Sequence, residues 1–430
     1  MQFFHTFVTP KTFAETSVKV KINMKNIAIL IFILASLSLS AKQTKTGIEV
    51  LRGQNFKMLE GKRVGLITNP TGVDRHLKST IDILNEAPNV KLVALFGPEH
   101  GVRGDAHAGD KVENITDLKT GLPVYSLYGK TRKATPDMLK GIDVLVYDIQ
   151  DIGCRSFTYI STMGLAMEAA AENNIEFIVL DRPNPLGGEK IEGNNTEEDY
   201  ISFVSQFKIP YLYGQTCGEL AWMLNEEKLL KKKCKLTVVK MKGWQRKMTW
   251  EDTGLEWVVA SPHIPNKFSS YFYPVTGILG ELGYLSIGVG YTLPFQIVGA
   301  PWISADSLAF AMNNLRLEGL EFRPIYFKPF YATFKDENCQ GVQIHIMDYR
   351  KARLSEVQFY IIQELNKLYP GKAVFNNANK DRFSMFDKVS GSDQIRSRFS
   401  KNHAFADIKD YWYKDVESYR VLSKKYYLYK

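Results

Sequence analysis

Five consecutive positions, Glu99 to Arg103, place a carboxyl group, an imidazole and a guanidinium among glycines, inside the stretch 92–109, LVALFGPEHGVRGDAHAG. Such groups exchange protons and grip anions. Gly101, Gly104 and Gly109 leave the backbone free to bend and to approach a ligand closely. The ordinary alternative is a surface loop whose charges pair with one another. His100 and His107 with Asp105 match no standard ligand spacing, so no metal is expected. GxSxG, HExxH and phosphate-loop patterns are absent, and Gly288-Val289-Gly290 is too partial a match to GxGxxG for a dinucleotide. No cofactor is expected.

The elements that position these groups alternate. Apolar runs predict strands over 63–68, 91–96, 122–127, 143–147 and 176–180, with helices over 76–86, 135–140 and 159–173 between them. This is the pattern of a parallel α/β sheet. Polar clusters follow the strands directly: Asn69, then Glu99 and His100, then Tyr128, then Asp148, Gln150 and Asp151, then Asp181, Arg182 and Asn184. In an open parallel sheet these ends converge on one edge, where ligands bind. The result is a carboxylate-rich cleft with arginines, amides and aromatics, a composition suited to sugar chemistry. Glycoside hydrolysis needs a protonated acid for the leaving oxygen and usually a second carboxylate. Each aspartate also has a structural reading, because Asp at a strand end often caps a helix or fixes a loop.

Beyond Asn194 the pattern loosens. A helix is expected over 218–227 and a strand over 235–241, then a Pro- and aromatic-rich connection over 261–301. A helix over 305–315, strands over 322–327 and 342–347, and a long helix over 354–368 read as a smaller α+β domain. The expected domains are therefore 41–303 and 304–430, preceded by a leader over 1–40. In the leader Lys25 precedes an apolar run, Ser38-Leu39-Ser40 offers a cleavage site before Ala41, and Met24 reads as the true start. The apolar run is too short for a comfortable membrane span. The expectation is an exported protein, periplasmic or secreted, with no stable membrane insertion after cleavage.

Composition is that of a globular protein, 45% hydrophobic and 23% charged, with a net charge of +9. The basic residues are scattered and the one compact run, Lys231-Lys232-Lys233, reads as a solvated helix end, so nucleic acid is not an expected partner. A basic surface suits an anionic polymer such as cell-wall material. Cys154, Cys217, Cys234 and Cys339 form no metal or redox motif and are expected to be mostly buried thiols, with room for one disulfide.

At these residues the chain resembles a known family. GPEHGVRGDAHAG, DVLVYDIQDIGCRSFTYISTM, DRPNPLGG, ASPHIP, GAPWI and GVQIHIMD are similar to the bacterial family once catalogued as a domain of unknown function, DUF1343, now associated with exo-acting β-N-acetylmuramidases of the NamZ type. The resemblance runs from about Gly47 to the C-terminus. It implies a Rossmann-like domain followed by a smaller C-terminal domain, with the site in the cleft between them. It also implies release of terminal N-acetylmuramic acid from the non-reducing end of peptidoglycan fragments such as MurNAc-GlcNAc and muropeptides. The motif's glutamate falls on Glu99, the expected general acid, since partial shielding in a cleft favours a protonated carboxyl. Asp148, Asp151 and Asp181 are candidates for the second carboxylate, with Asp148 and Asp181 foremost. Arg103 and Arg155 are candidates for the lactyl carboxylate of muramic acid. Asn69, Tyr159 and Asn184 could hydrogen-bond the sugar, and His100, Asp151, Arg182 and Glu281 complete the expected substrate-binding set.

The chain also departs from the family pattern. Leu212-Tyr213-Gly214 stands where many members carry Arg-His-Gly, and Tyr284, Ile287, Val289 and Gln296 replace polar or charged residues in the stretch from Glu281. These changes leave two alternatives open: a muropeptide-binding protein without catalysis, and a sugar esterase or amidase on the same scaffold. The sequence leaves the oligomeric state open.

Overall fold

The computed structural model describes residues 43–104 and 115–430. The expected leader and Asp105, His107 and Gly109 lie outside them. Residues Thr44–Lys430 pack as one unit.

The strands are β1 (Arg63–Thr68), β2 (Lys91–Gly97), β3 (Ile115–Thr116), β4 (Pro123–Ser126), β5 (Val144–Asp148), β6 (Glu176–Leu180) and β7 (Leu236–Val239), in the order β3-β4-β2-β1-β5-β6-β7. All pairs are parallel except β3 with β4 at the edge. The central strands read as unbroken apolar runs because both faces are covered. In β5, Val144 and Val146 enter one core with Val64 and Leu66 of β1, while Leu145 and Tyr147 point into the opposite core with Ile67 and Phe96. The first of these cores is closed by α1 (Gly47–Gly53) and α2 (Thr80–Asn85). The opposite core is closed by α3 (Tyr159–Glu172) and α4 (Cys217–Glu226).

The remaining chain forms α5 (Lys267–Gly280), β8 (Ile297–Ala300), α6 (Ala305–Asn314), β9 (Leu320–Phe327), β10 (Cys339–Ile346), α7 (Val357–Leu368), α8 (Val374–Asn377), α9 (Phe383–Ser390), α10 (Gln394–Asn402), α11 (Ala406–Tyr413) and α12 (Val416–Lys424). Strands β8-β10-β9 make a small antiparallel sheet. Thus β8, which precedes the expected boundary at 303, hydrogen-bonds into the second sheet. Phe359, Phe386 and Trp412 from the C-terminal helices share the core of Tyr147 and Phe177.

Two expected elements differ. The connection over 261–301 contains α5, begun by Asn266, whose Oδ1 accepts from the Ser269 amide at 3.1 Å. Pro274 inside that helix hides its period. Gln358 of α7 supports the interrupted turn, donating to the Pro274 carbonyl at 3.2 Å and accepting from the Leu279 amide at 3.1 Å. The segment 135–140 forms turns rather than a helix and ends at Gly141, φ +80°. So short a piece does not repay helix nucleation without a packed face. The four cysteines are free and buried, with no disulfide. No helix of the described residues is long and apolar enough to cross a membrane.

Candidate active site

The polar strand ends divide into two groups, and only one faces a large cleft; Gln150 and Arg182 of the other border a cavity of about 20 Å³. A cleft of about 660 Å³ is lined by Glu99, His100, Tyr128 and Arg132 from the loops after β2 and β4, and by Ser156, Thr158 and Tyr159 ahead of and at the start of α3. The rest of the lining comes from Tyr273 and Gly277 of α5, Glu281 just beyond it, Arg382 ahead of α9, and Lys388 within it.

Glu99 follows Gly97-Pro98, which ends β2. The Gly101 amide donates to the Pro98 carbonyl at 3.0 Å, closing a tight turn. His100 is held at φ +73°, a left-handed conformation that side chains rarely adopt and that concentrates at functional sites. Thr158 Oγ1 donates to Glu99 Oε2 at 2.9 Å, and the Tyr128 hydroxyl also bonds Glu99. Burial, then the charge of Glu99, pushes the Tyr128 hydroxyl up to about 12. Tyr159, buried, donates to the Ala260 carbonyl, and burial followed by the Glu99 charge raises its pKa far above the ordinary value.

Glu281 reaches the cleft from the C-terminal end of α5. Its carboxyl group accepts no hydrogen bond among the described residues; burial raises its pKa, and the Arg382 charge partly opposes this. Arg382 Nε donates to the Glu281 carbonyl at 3.0 Å, fixing the backbone there. Tyr273 senses both Glu281 and Glu99 and bonds Ser156 across 3.2 Å, so both carboxyl groups lie near its hydroxyl. Glu99 and Glu281 are the acidic residues that line this cleft among the described residues. Their environments differ: two hydroxyl donors orient one, and burial without a donor favours the proton on the other.

The other expected residues lie elsewhere, and each has a partner that accounts for it. Asp148, fully buried, pairs with Arg182 Nε at 2.5 Å and Nη2 at 3.0 Å and accepts from Thr80 at 2.5 Å. Asp181 accepts from the Gly218 amide at 2.8 Å, Thr216 at 2.7 Å and Tyr429 at 2.5 Å, capping α4 and tying down the chain's end. Asp151 accepts from the Gly153 amide at 2.6 Å and from Tyr213. Burial pushes both Asp151 and Asp181 up to about 7. Asn69 holds Thr71 through its Oδ1, and Asn184 bonds the Gln215 carbonyl and the Leu186 amide.

Neither arginine expected at the lactyl group faces the cleft. Arg103 grips Asp117 at 2.9 and 3.0 Å, and this pairing holds the Asp117 carboxyl down at about 2. Arg155 is fully buried and donates only to carbonyls, those of Asn194 at 2.6 Å, Ile209 at 2.7 Å and Val389 at 3.0 Å. The cleft's own cations are Arg132, Arg382 and Lys388, none with an ionic partner among the described residues. Arg132 lies 4.5 Å over the Phe203 ring. Sequence spacing offered no signal for these three, since each comes from a segment without a motif. No group of three or more His, Cys, Asp or Glu able to hold a metal occurs among the described residues.

Comparison with known proteins agrees with this architecture. The N-terminal profile of the exo-β-N-acetylmuramidase NamZ matches residues 64–268 and its C-terminal profile residues 271–429. The chain is 46% identical over 392 residues to the peptidoglycan β-N-acetylmuramidase NamZ of Bacillus subtilis (strain 168), covering 91% of this chain and 93% of that one. Two crystal structures of DUF1343 family proteins from Bacteroides fragilis superpose on it. One is 70% identical with a TM-score of 0.88, the other 29% identical with a TM-score of 0.71; each match covers 90% of this chain and 99% of the other. The chain belongs to the exo-β-N-acetylmuramidase NamZ family.

Proposed function

We propose that this protein is an exo-acting glycoside hydrolase that releases terminal N-acetylmuramic acid from the non-reducing end of peptidoglycan fragments, including MurNAc-GlcNAc and muropeptides. The observation that carries the reading is the pair of carboxyl groups, Glu99 and Glu281, that line one cleft and both act on the Tyr273 hydroxyl. Glu281, half-buried and without a hydrogen-bond donor among the described residues, protonates the leaving glycosidic oxygen. Glu99, oriented by Thr158 and Tyr128, acts as the carboxylate at the anomeric centre, either on carbon or through water. A second reading exchanges the roles, and the position of Glu99 in the GPEHG motif favours it. Arg132, Arg382 and Lys388 supply positive charge for the lactyl carboxylate. The leader expected over 1–40 from Lys25 and the apolar run after it supports export to the compartment that holds this substrate.

The test is incubation of the purified protein with MurNAc-GlcNAc and with a chromogenic aryl β-N-acetylmuramide. Free muramic acid from both is the expected result. Binding without release selects the non-catalytic alternative, and release of acetate or peptide with the glycosidic bond intact selects the esterase or amidase.

A further inference from the structure

The cleft has an aromatic rim that the two carboxyl groups leave unexplained. The connection between β9 and β10 carries Phe330 and Tyr331, 63% and 49% exposed. The next two residues, Ala332 and Thr333, line the cleft, and so does His263. His263 Nε2 lies 2.9 Å from the Tyr331 hydroxyl, and the two rings stack with centroids 6.0 Å apart. Tyr331 therefore stands at the mouth with its ring backed by His263.

The connection is held in an uncommon shape. Ala332, Phe334 and Asp336 take φ of +62°, +63° and +62°, a left-handed conformation that non-glycine residues rarely adopt. Phe330 donates its amide to the Gly290 carbonyl at 2.7 Å and stacks on Tyr291 at 5.9 Å. Gly290 is required there, since a Cβ would come within 2.0 Å of the Tyr331 carbonyl oxygen. Backbone strain that the surroundings hold in place clusters at ligand clamps. Here its effect is to leave two large rings exposed to water, Tyr331 against the cleft-lining His263 and Phe330 on Tyr291, a cost in exposed apolar surface without a ligand.

We propose that Tyr331, with Phe330 beside it, is the platform for the sugar ring that follows the scissile bond, the N-acetylglucosamine of the fragment. This subsite rests on the glycosidase reading above. An exo-acting cleft encloses the terminal residue, and the rest of the chain leaves through the mouth. A pyranose ring has a face made of C–H bonds, and that face packs on an aromatic ring without needing charge. Ring stacking of this kind also tolerates variation in what the following muramic residues carry.

The experiment compares MurNAc-GlcNAc with β-N-acetylmuramyl fluoride, whose leaving group has no ring. In Tyr331→Ala the ratio of kcat/KM for the disaccharide to that for the fluoride is expected to fall roughly tenfold, mainly through the disaccharide KM, in line with aromatic pair energies. Tyr331→Phe, which keeps the ring and loses the bond to His263, is expected to retain most of the wild-type ratio. Equal loss on both substrates in Tyr331→Ala, no change in the ratio, or a Tyr331→Phe as impaired as the alanine variant overturns the subsite while leaving the glycosidase reading intact. A wild-type protein that hydrolyses neither substrate overturns both.

Discussion

Two clusters of charged and polar residues sit at the carboxyl ends of the same parallel strands, and they do opposite things. Near the centre of the sheet, where the order reverses between β1 and β5, Asp148, Arg182 and Thr80 saturate one another, and Asn69 is turned onto Thr71. One strand out, beyond β2, Glu99 meets Thr158 and Tyr128 but opens onto a cleft that Glu281 also lines. The switch point of an open α/β sheet is the expected place for a ligand. Here it is filled by an ion pair that locks two strands together, and the chemistry has moved to where a second region supplies the rest of the lining. Polar residue types at a strand end do not distinguish the two cases; whether a charged group's opposite charge is supplied within the fold, as Arg182 is for Asp148, does.

The largest expected effects separate the clusters by catalysis. Glu281→Gln and Glu99→Gln should each lower kcat on MurNAc-GlcNAc by about 10²–10⁴-fold while the protein stays folded. For Glu281→Gln the loss should shrink on an aryl glycoside, whose departure needs less protonation; for Glu99→Gln it should persist on both substrates. The reverse pattern of leaving-group dependence assigns the acid to Glu99.

Asp148→Ala should act on stability instead. It leaves Arg182 buried without its partner, a change that costs about 3–5 kcal/mol in comparable buried pairs. Chemical denaturation should show that loss, and the fraction still folded should keep its kcat. A selective fall in kcat with unchanged stability would place Asp148 in the chemistry and break the comparison.

A finer test uses pH. Asp151 is raised to about 7 by burial, so between roughly pH 4 and 7 the folded chain holds a proton there that the unfolded chain has lost. Bound protons in excess in the folded state make stability fall as pH rises through that window and level off above it. Asp181 adds to the same slope. Asp151→Asn removes one of the two protons and should lessen the slope by about 1.4 kcal/mol per pH unit. The Asp151 Oδ1 has no partner among the described residues, so an amide nitrogen can take its place while the other oxygen still serves Gly153 and Tyr213. An unaltered slope in urea titrations from pH 4 to 7 would show that Asp151 stays ionised.

Much of this was legible in the residues. Both-face-buried runs such as 63–68 and 176–180 give strands with matching bounds, because a central parallel strand has little else it can be. Glu99 was legible because glycines and a proline isolate it from the strand. Glu281 was expected at the site as well, but the helix that carries it was not. The helix before Glu281 is interrupted by Pro274 and supported by Gln358 from another helix, information that lies 84 residues away in the chain. Arg103 and Arg155 show the complementary limit. A guanidinium in a motif can bind a ligand, pair with Asp117, or gather carbonyls in the core, and composition is the same in all three cases.

The buried Arg155 has a consequence for the order in which the chain can mature. Its side chain joins carbonyls at Asn194, Ile209 and Val389, spanning 39, 54 and 234 residues. A polypeptide emerging from its N-terminus first holds this cation for most of its synthesis with one acceptor still unmade, and a buried charge lacking a partner opposes collapse around it. The parallel sheet can form early, but the guanidinium can be sealed from water only when α9 arrives. Because that same helix carries Lys388 to the cleft, the event that completes the interior also completes the site, and no nascent chain ending before Val389 can present an assembled catalytic cleft.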